Sequence, residues 1–242
     1  MPATNYRAAG LAVATVGACL TIFAAAAGAE SAEPAPVPER TAISLRSTLG
    51  VHWGTDNEHE PRSGLSLTKL YLADYALRHG DAASSSTDRE LAERMIRYSD
   101  DAAAALMAAR YPRAIDEIAA EYRLTETHAG PDWGSASTST ADMAGFLENK
   151  LRTDPSSPLF EWMASAGSTA ADGTEQDWGT ARLPAVLGTK WGWSDIGEPE
   201  VASASYGPGF AVTAHTRGTA AEQTADVLDA IPAMAHQLLG TH

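Results

Sequence analysis

Ser66 and Lys69 stand three residues apart in Ser66-Leu67-Thr68-Lys69, the spacing at which one face of a helix brings two side chains within reach of each other. A serine hydroxyl is a weak nucleophile at neutral pH and needs a neighbouring base, a role an amine can fill once burial or a nearby cation has lowered its pKa. Only three lysines occur, Lys69, Lys150 and Lys190, in a chain that otherwise uses arginine for its cations, so a lysine here is a candidate for chemistry. Lys190 opens Lys190-Trp191-Gly192, where a strand lysine can hold a substrate carboxylate and a glycine lets the substrate's backbone lie against the strand edge. Between the two lies Tyr98-Ser99-Asp100-Asp101, in which a loop serine can relay a proton to a leaving group. Each motif taken alone also has a plainer reading: a helix start with a surface lysine, a capping turn, and an edge-strand lysine.

The elements that would position these residues follow from periodicity and punctuation. Short strands are expected at 42–45 and 49–53, then a buried helix from Ser66 to Leu77 with Gly80 after its last turn. Helices follow over 88–97, 101–109 and 114–122, and Ser139-Thr140-Ala141-Asp142 starts another with a capping-box pattern, running to about Leu151. One more covers 156–164. Glycine-punctuated segments at 186–193, 201–206 and 210–215 read as consecutive antiparallel strands, and a single amphipathic helix over 220–239 closes the chain.

Composition bounds the remainder. The 44% apolar and 20% charged fractions of 242 residues fit one globular domain, and a net charge of −14 argues against nucleic acid or an anionic lipid surface as partner. Residues 1–29, with Arg7, an apolar run and Ala27-Gly28-Ala29, read as a secretory signal peptide, and 30–40 as a proline-rich linker. The folded domain is then 41–242. The only cysteine, Cys19, falls in the leader, which leaves the mature domain without a disulfide. An extracytoplasmic protein, secreted or associated with the cell wall and carrying no membrane span after cleavage, is expected.

Ser66-Leu67-Thr68-Lys69, Ser99-Asp100-Asp101 and Lys190-Trp191-Gly192, in that order, resemble the Ser-x-x-Lys, Ser-Asp-Asn and Lys-Thr-Gly signature of the serine β-lactamase and penicillin-binding protein (DD-peptidase) superfamily. The layout around them is similar to that of class A β-lactamases over nearly the whole mature domain. The resemblance implies an α/β fold of the α+β sandwich kind, an antiparallel sheet flanked by N- and C-terminal helices, with an all-helical subdomain. It also implies catalytic roles: Ser66 as acylated nucleophile, Lys69 as its base, Ser99 as proton shuttle and Lys190 as carboxylate anchor. The N–H groups of Ser66 and Trp193 would form an oxyanion hole. Asp101, Trp191, Gly192 and Trp193 would touch substrate, and neither cofactor nor metal is implied. The expected partner is a small-molecule or peptidoglycan-derived peptide, ester or amide.

Three departures bear on activity. Asp101 stands where the family has asparagine, and an ionised carboxylate repels an anionic ligand and can pair with Lys69 and raise its pKa. Trp191 replaces a hydroxyl that contacts the substrate carboxylate. The Glu-x-x-Leu-Asn segment that supplies a deacylating base in class A enzymes is absent from 124–138, where Glu126, His128 and Asp132 are the polar residues. Trp191 and Trp193 should share a strand face opposite Gly192 and would narrow the cleft if that face is the cleft. Two rival readings are weaker. Gly64-x-Ser66-x-Thr68 falls one residue short of a nucleophile elbow, and Glu58-His59-Glu60 are adjacent loop residues without ligand spacing. A non-catalytic binding protein on the same fold is the main alternative to a hydrolase.

Overall fold

The computed structural model describes residues 36–239. The leader, Cys19 and residues 30–35 of the linker lie outside the described residues. Strands β1 (Thr41–Ser47), β2 (His52–Gly54), β5 (Gly188–Trp193), β6 (Val201–Gly207) and β7 (Phe210–Thr216) form one antiparallel sheet in the order β2-β1-β7-β6-β5. Pairing runs in continuous register, Thr41 opposite Thr216 through Ser47 opposite Phe210, so the two ends of the domain meet in its centre. A second, two-stranded sheet joins β3 (Arg62–Ser63) to β4 (Ser137–Thr138). Two residues per strand are too few for alternation to show, which is why the sequence reading misses it.

Both faces of the large sheet are covered. Ile43, Leu45, Val212 and Ala214 form one core with Val227, Ala230 and Met234 of the C-terminal helices α7 (Ala220–Asp229) and α8 (Ile231–Leu239). The single helix expected over 220–239 is thus two. Pro232 lacks an N–H and its ring crowds the preceding turn, so the helix breaks at Ala230 and restarts. The opposite face carries small residues such as Ala202, Ala204 and Ala211, which belong to the core of the helical region.

That region is built around α1 (Thr68–His79), which follows a 3-10 turn, Leu65–Leu67. Around α1 lie α2 (Ser85–Arg97), α3 (Asp101–Arg110), α4 (Ala114–Tyr122), α5 (Thr140–Thr153) and α6 (Pro158–Ala164). Ser139 caps α5 by accepting from Asp142 N at 3.1 Å, but the expected box is only half made: the Asp142 carboxylate turns instead to Glu126 N and Thr127 Oγ1, both 2.8 Å. It thereby ties down the loop that leads back to β4.

α1 is buried from Thr68 to Asp74, so its two charges need partners inside the protein. Asp74 meets Lys150 Nζ at 2.9 Å, Arg78 Nε at 2.9 Å and the Tyr122 hydroxyl at 3.1 Å. Lys150, a candidate for chemistry by its rarity, is therefore the structural bolt between α5 and α1. Lys69 is the second charge and belongs to the site.

The stretch that delivers Ser66 is held from behind. Arg62, buried in β3, donates to the carbonyls of Arg40 and His215 at 2.7 and 2.9 Å, while His215 Nε2 lies 2.9 Å from Ser63 O. Burial, followed by the charge of Arg62, pushes the His215 ring down to about 3. Its folded pKa lies below its unfolded value of about 6.5, so the ring's contribution to stability is complete above that value and is lost as pH falls toward 3. From this group alone, unfolding free energy should fall by about 2 kcal/mol between pH 7 and pH 5. Urea denaturation at the two pH values should show that loss in the wild type and a smaller one in His215→Gln. Lys150→Met leaves buried Asp74 with only Arg78 and the Tyr122 hydroxyl as partners and should lower unfolding free energy by about 1–3 kcal/mol in the same assay.

Candidate active site

Leu65 has φ of 48°, a left-handed conformation that branched residues rarely adopt, and it turns the chain so that Ser66 opens the helical run. Ser66 and Lys69 then fall on one side of that run, with Lys69 Nζ 2.8 Å from Ser66 Oγ. Ser99, between α2 and α3, is the second strained residue, with φ of 51°. The turn aims both its oxygens at the same amine: Lys69 Nζ lies 2.7 Å from Ser99 O and 3.2 Å from Ser99 Oγ. Strain of this kind persists only where the surroundings enforce it.

Lys190, fully buried on β5, donates to Ser99 Oγ and to the carbonyl of Trp191, both at 2.7 Å. The chain therefore brings Ser66, Lys69, Ser99 and Lys190 into one hydrogen-bonded group. β5 can approach this closely because residue 192 is glycine: a Cβ there would lie 2.8 Å from Ser66 N and 2.9 Å from Leu65 Cβ. The close approach sets the backbone of β5 beside the Ser66 N–H.

Asp100 and Asp101 do different work. Asp100 caps α3 by accepting from Ala103 N at 3.0 Å and is paired with Arg94 Nη2 at 2.6 Å, and it acts on Lys69 only through its charge. Asp101, with a side chain 63% exposed, reaches Lys69 Nζ at 2.5 Å. Lys69 thus has four acceptors around it, one more than an ammonium can serve. A neutral amine fits differently, giving its two protons to Ser99 O and Asp101 and accepting the Ser66 hydroxyl proton on its lone pair. Burial lowers the Lys69 pKa, the hydrogen bond and charge of Asp101 oppose that, and the balance lies below the ordinary lysine range. Lys190 is held well below that range by burial and then by the charge of Lys69.

Trp191 and Trp193 do share the face opposite Gly192, but only one reaches the cleft. The Trp191 ring is buried against Trp178, centroids 6.2 Å apart, with its indole N–H on Trp178 O at 3.0 Å. Trp193 borders a pocket of about 370 Å³ that also exposes Ser66, Asp101 and Trp133. Trp191 is not among the pocket's lining residues. The family hydroxyl at this position is thus replaced by a ring turned into the interior.

Sequence reasoning overlooked two further contributors. Trp133 lays its ring 4.5 Å from Lys69 Nζ. Asp172 holds the Trp193 indole N–H at 3.2 Å, and its charge bears on both lysines. It sits beside Gly173, whose φ of 94° marks a turn, but no local pattern joins residue 172 to residue 69. The three candidates for a deacylating base do not line the pocket: Asp132 caps the turn Trp133–Ser135, Glu126 donates its backbone N–H to Asp142, and His128 bridges to Ser137. Glu58 is bound to His52 Nε2 at 2.9 Å, so the Glu58-His59-Glu60 run serves a surface turn.

No family model matches the sequence, and no curated protein matches it. Solved structures do. The β-lactamase from Streptomyces albus G aligns with TM-score 0.58 at 20% identity, over 90% of this chain and 97% of that one. The β-lactamase from Sphaerobacter thermophilus gives 0.59 at 13% identity, over 93% and 98%. The D-alanyl-D-alanine carboxypeptidase from Mycobacterium tuberculosis gives 0.57 at 18% identity, over 86% and 96%. Such identities speak to architecture alone, and they do so along nearly the full length of each partner. The chain has the fold of the serine β-lactamases and penicillin-binding proteins.

Proposed function

We propose that this protein is an exported serine acyl-enzyme hydrolase acting on a peptidoglycan-derived peptide, an ester or an amide. The observation that carries this reading is the convergence of Ser66 Oγ, Lys69 Nζ, Ser99 Oγ and Lys190 Nζ, linked at 2.7–3.2 Å at the floor of an open pocket.

Neutral Lys69 takes the Ser66 proton as Oγ attacks the acyl carbon. The N–H groups of Ser66 and Trp193 bind the oxyanion, and Ser99 passes a proton to the leaving group, oriented by Lys190. Water then hydrolyses the ester on Ser66. Glu126, His128 and Asp132 do not line the pocket, and slow hydrolysis of the ester follows if none of the three carboxylates that do, Asp101, Asp195 and Glu200, activates that water. Residues 1–29 support export as a signal peptide, and no helix among the described residues is long and apolar enough to cross a membrane.

A second reading, a non-catalytic protein that binds a cell-wall or protein ligand in the same cleft, draws on one contact. Asp101 at 2.5 Å can hold Lys69 protonated and so disarm the base.

Three measurements test these readings. Intact-mass analysis with activated esters should show a long-lived adduct on Ser66 that is absent from Ser66→Ala, and Lys69→Met should slow its formation by about 10²–10⁴-fold. No adduct with any acylating probe would favour the binding protein. Acylation requires neutral Lys69, so its rate should rise with pH through a midpoint below the ordinary lysine range. Asp101→Asn removes a group that raises the Lys69 pKa, so the rising limb should move to lower pH and the rate at pH 7 should increase. An unmoved limb would show that Asp101 does not control the base.

A further inference from the structure

The walls of the pocket above Ser66 are charged in one sense. Asp101, Asp195 and Glu200 line it, and among the described residues no lysine, arginine or histidine does. Asp172 stands just behind, bound to the indole of Trp193. The two amines beneath the pocket do not reverse this balance. Lys190 is buried and directed at Ser99 Oγ and Trp191 O, and Lys69 is already matched by Asp101.

The nearest guanidinium groups are also engaged. Arg62 and Arg217, whose charges are felt at Glu200, each bind Glu60 at 2.6 Å. His215 Nε2 lies 3.6 Å from Glu200 Oε1, but its ring is neutral at physiological pH. An incoming carboxylate therefore finds no free cation, and the position at which the resemblance would supply a hydroxyl holds a tryptophan turned inward.

A second, independent feature points the same way. Trp193 and Trp133 both line the pocket beside the carboxylates, Trp133 with its ring also over Lys69 Nζ. Indole faces together with carboxylates form a receptor for a weakly hydrated organic cation, which gains from the ring quadrupole as well as from the negative charge.

We infer that the acyl donor of this enzyme carries a positive charge, as an alkylammonium ester or amide, and has no free carboxylate beside the scissile bond. This rests on the reading of Ser66 as nucleophile and narrows it to a substrate class. The chemistry balances as in any acyl transfer: Ser66 Oγ bonds to the acyl carbon, the carbon–oxygen or carbon–nitrogen bond to the leaving group breaks, and the Ser66 proton passes to that leaving group.

Three p-nitrophenyl esters of matched length, ending in trimethylammonium, tert-butyl or carboxylate, test this with the full chain. At low ionic strength the second-order rate of Ser66 acylation should favour the trimethylammonium over the carboxylate ester by at least about tenfold. Added salt should narrow the ratio. Asp195→Asn combined with Glu200→Gln should bring it toward one, and Trp193→Leu should lower it. A carboxylate ester that reacts as fast or faster, or a ratio indifferent to these variants, overturns the inference while leaving Ser66 as nucleophile.

A binding arm separates the two questions. Ser66→Ala is titrated with butyltrimethylammonium and with butyrate while tryptophan fluorescence is followed. Should no ester acylate Ser66, the hydrolase reading fails and this arm decides the inference alone: tighter binding of the ammonium sustains it, and equal or tighter binding of butyrate overturns it.

Discussion

Two lysine amines lie inside this protein with their whole side chains withdrawn from solvent, and both touch one hydroxyl, that of Ser99. Two like charges cannot both be kept in so small a buried volume at low cost, so at least one amine must be held neutral or neutralised. Asp101 provides one negative charge for the pair, and it does so from the solvent side, where water weakens its hold. On the proposed reading, the base and the substrate compete for the same carboxylate. A ligand that draws Asp101 toward itself loosens its grip on Lys69 and leaves the amine freer to lose its proton, whereas a repelled ligand does the reverse.

The rest of the fold is arranged so that this contest can be held inside a stable protein. α1 must be buried to dehydrate Lys69, and burying it obliges Asp74 to be buried as well, which Lys150 answers from α5. β5 must press against the turn at Ser66 to carry Lys190 to Ser99, which requires Gly192 and accepts left-handed backbone at Leu65 and Ser99. Those strained residues sit at the site itself, while the regular elements that enforce them lie outside it.

The strands, the central helix and the order of the three motifs were legible because each leaves a local trace: periodicity, a glycine or proline stop, a cap. Ser66, Lys69, Ser99 and Lys190 could be joined only through a known family pattern, since Ser66 and Lys190 lie 124 positions apart. What the sequence could not yield was side-chain direction across the sheet. Alternation put Trp191 and Trp193 on one face, yet the pocket ends between them, so one ring is core and the other is wall. The break at Ala230 was legible in principle from Pro232 and was passed over because the apolar spacing continues through it. Lys150 shows the opposite error, rarity taken for chemistry where burial beside Asp74 is the cause.

Asp101 and Trp191 stand on different elements, α3 and β5, and are reached by different parts of the chain, yet each subtracts from the affinity of the cleft for a carboxylate. Two amines dehydrated around Ser66 and Ser99 cost stability that a leucine or methionine in their place would not, and the proposed acyl transfer is a use for them. The buried amines and the negative pocket wall both fit the proposed reading, an acyl-transfer group facing a ligand of positive charge. The tryptophan at 191 fits this account because it does more than remove a hydroxyl. Its ring braces Trp178, which in turn meets the ring of Trp193 at 5.8 Å, so the change that discards the carboxylate contact also stiffens the aromatic wall that replaces it.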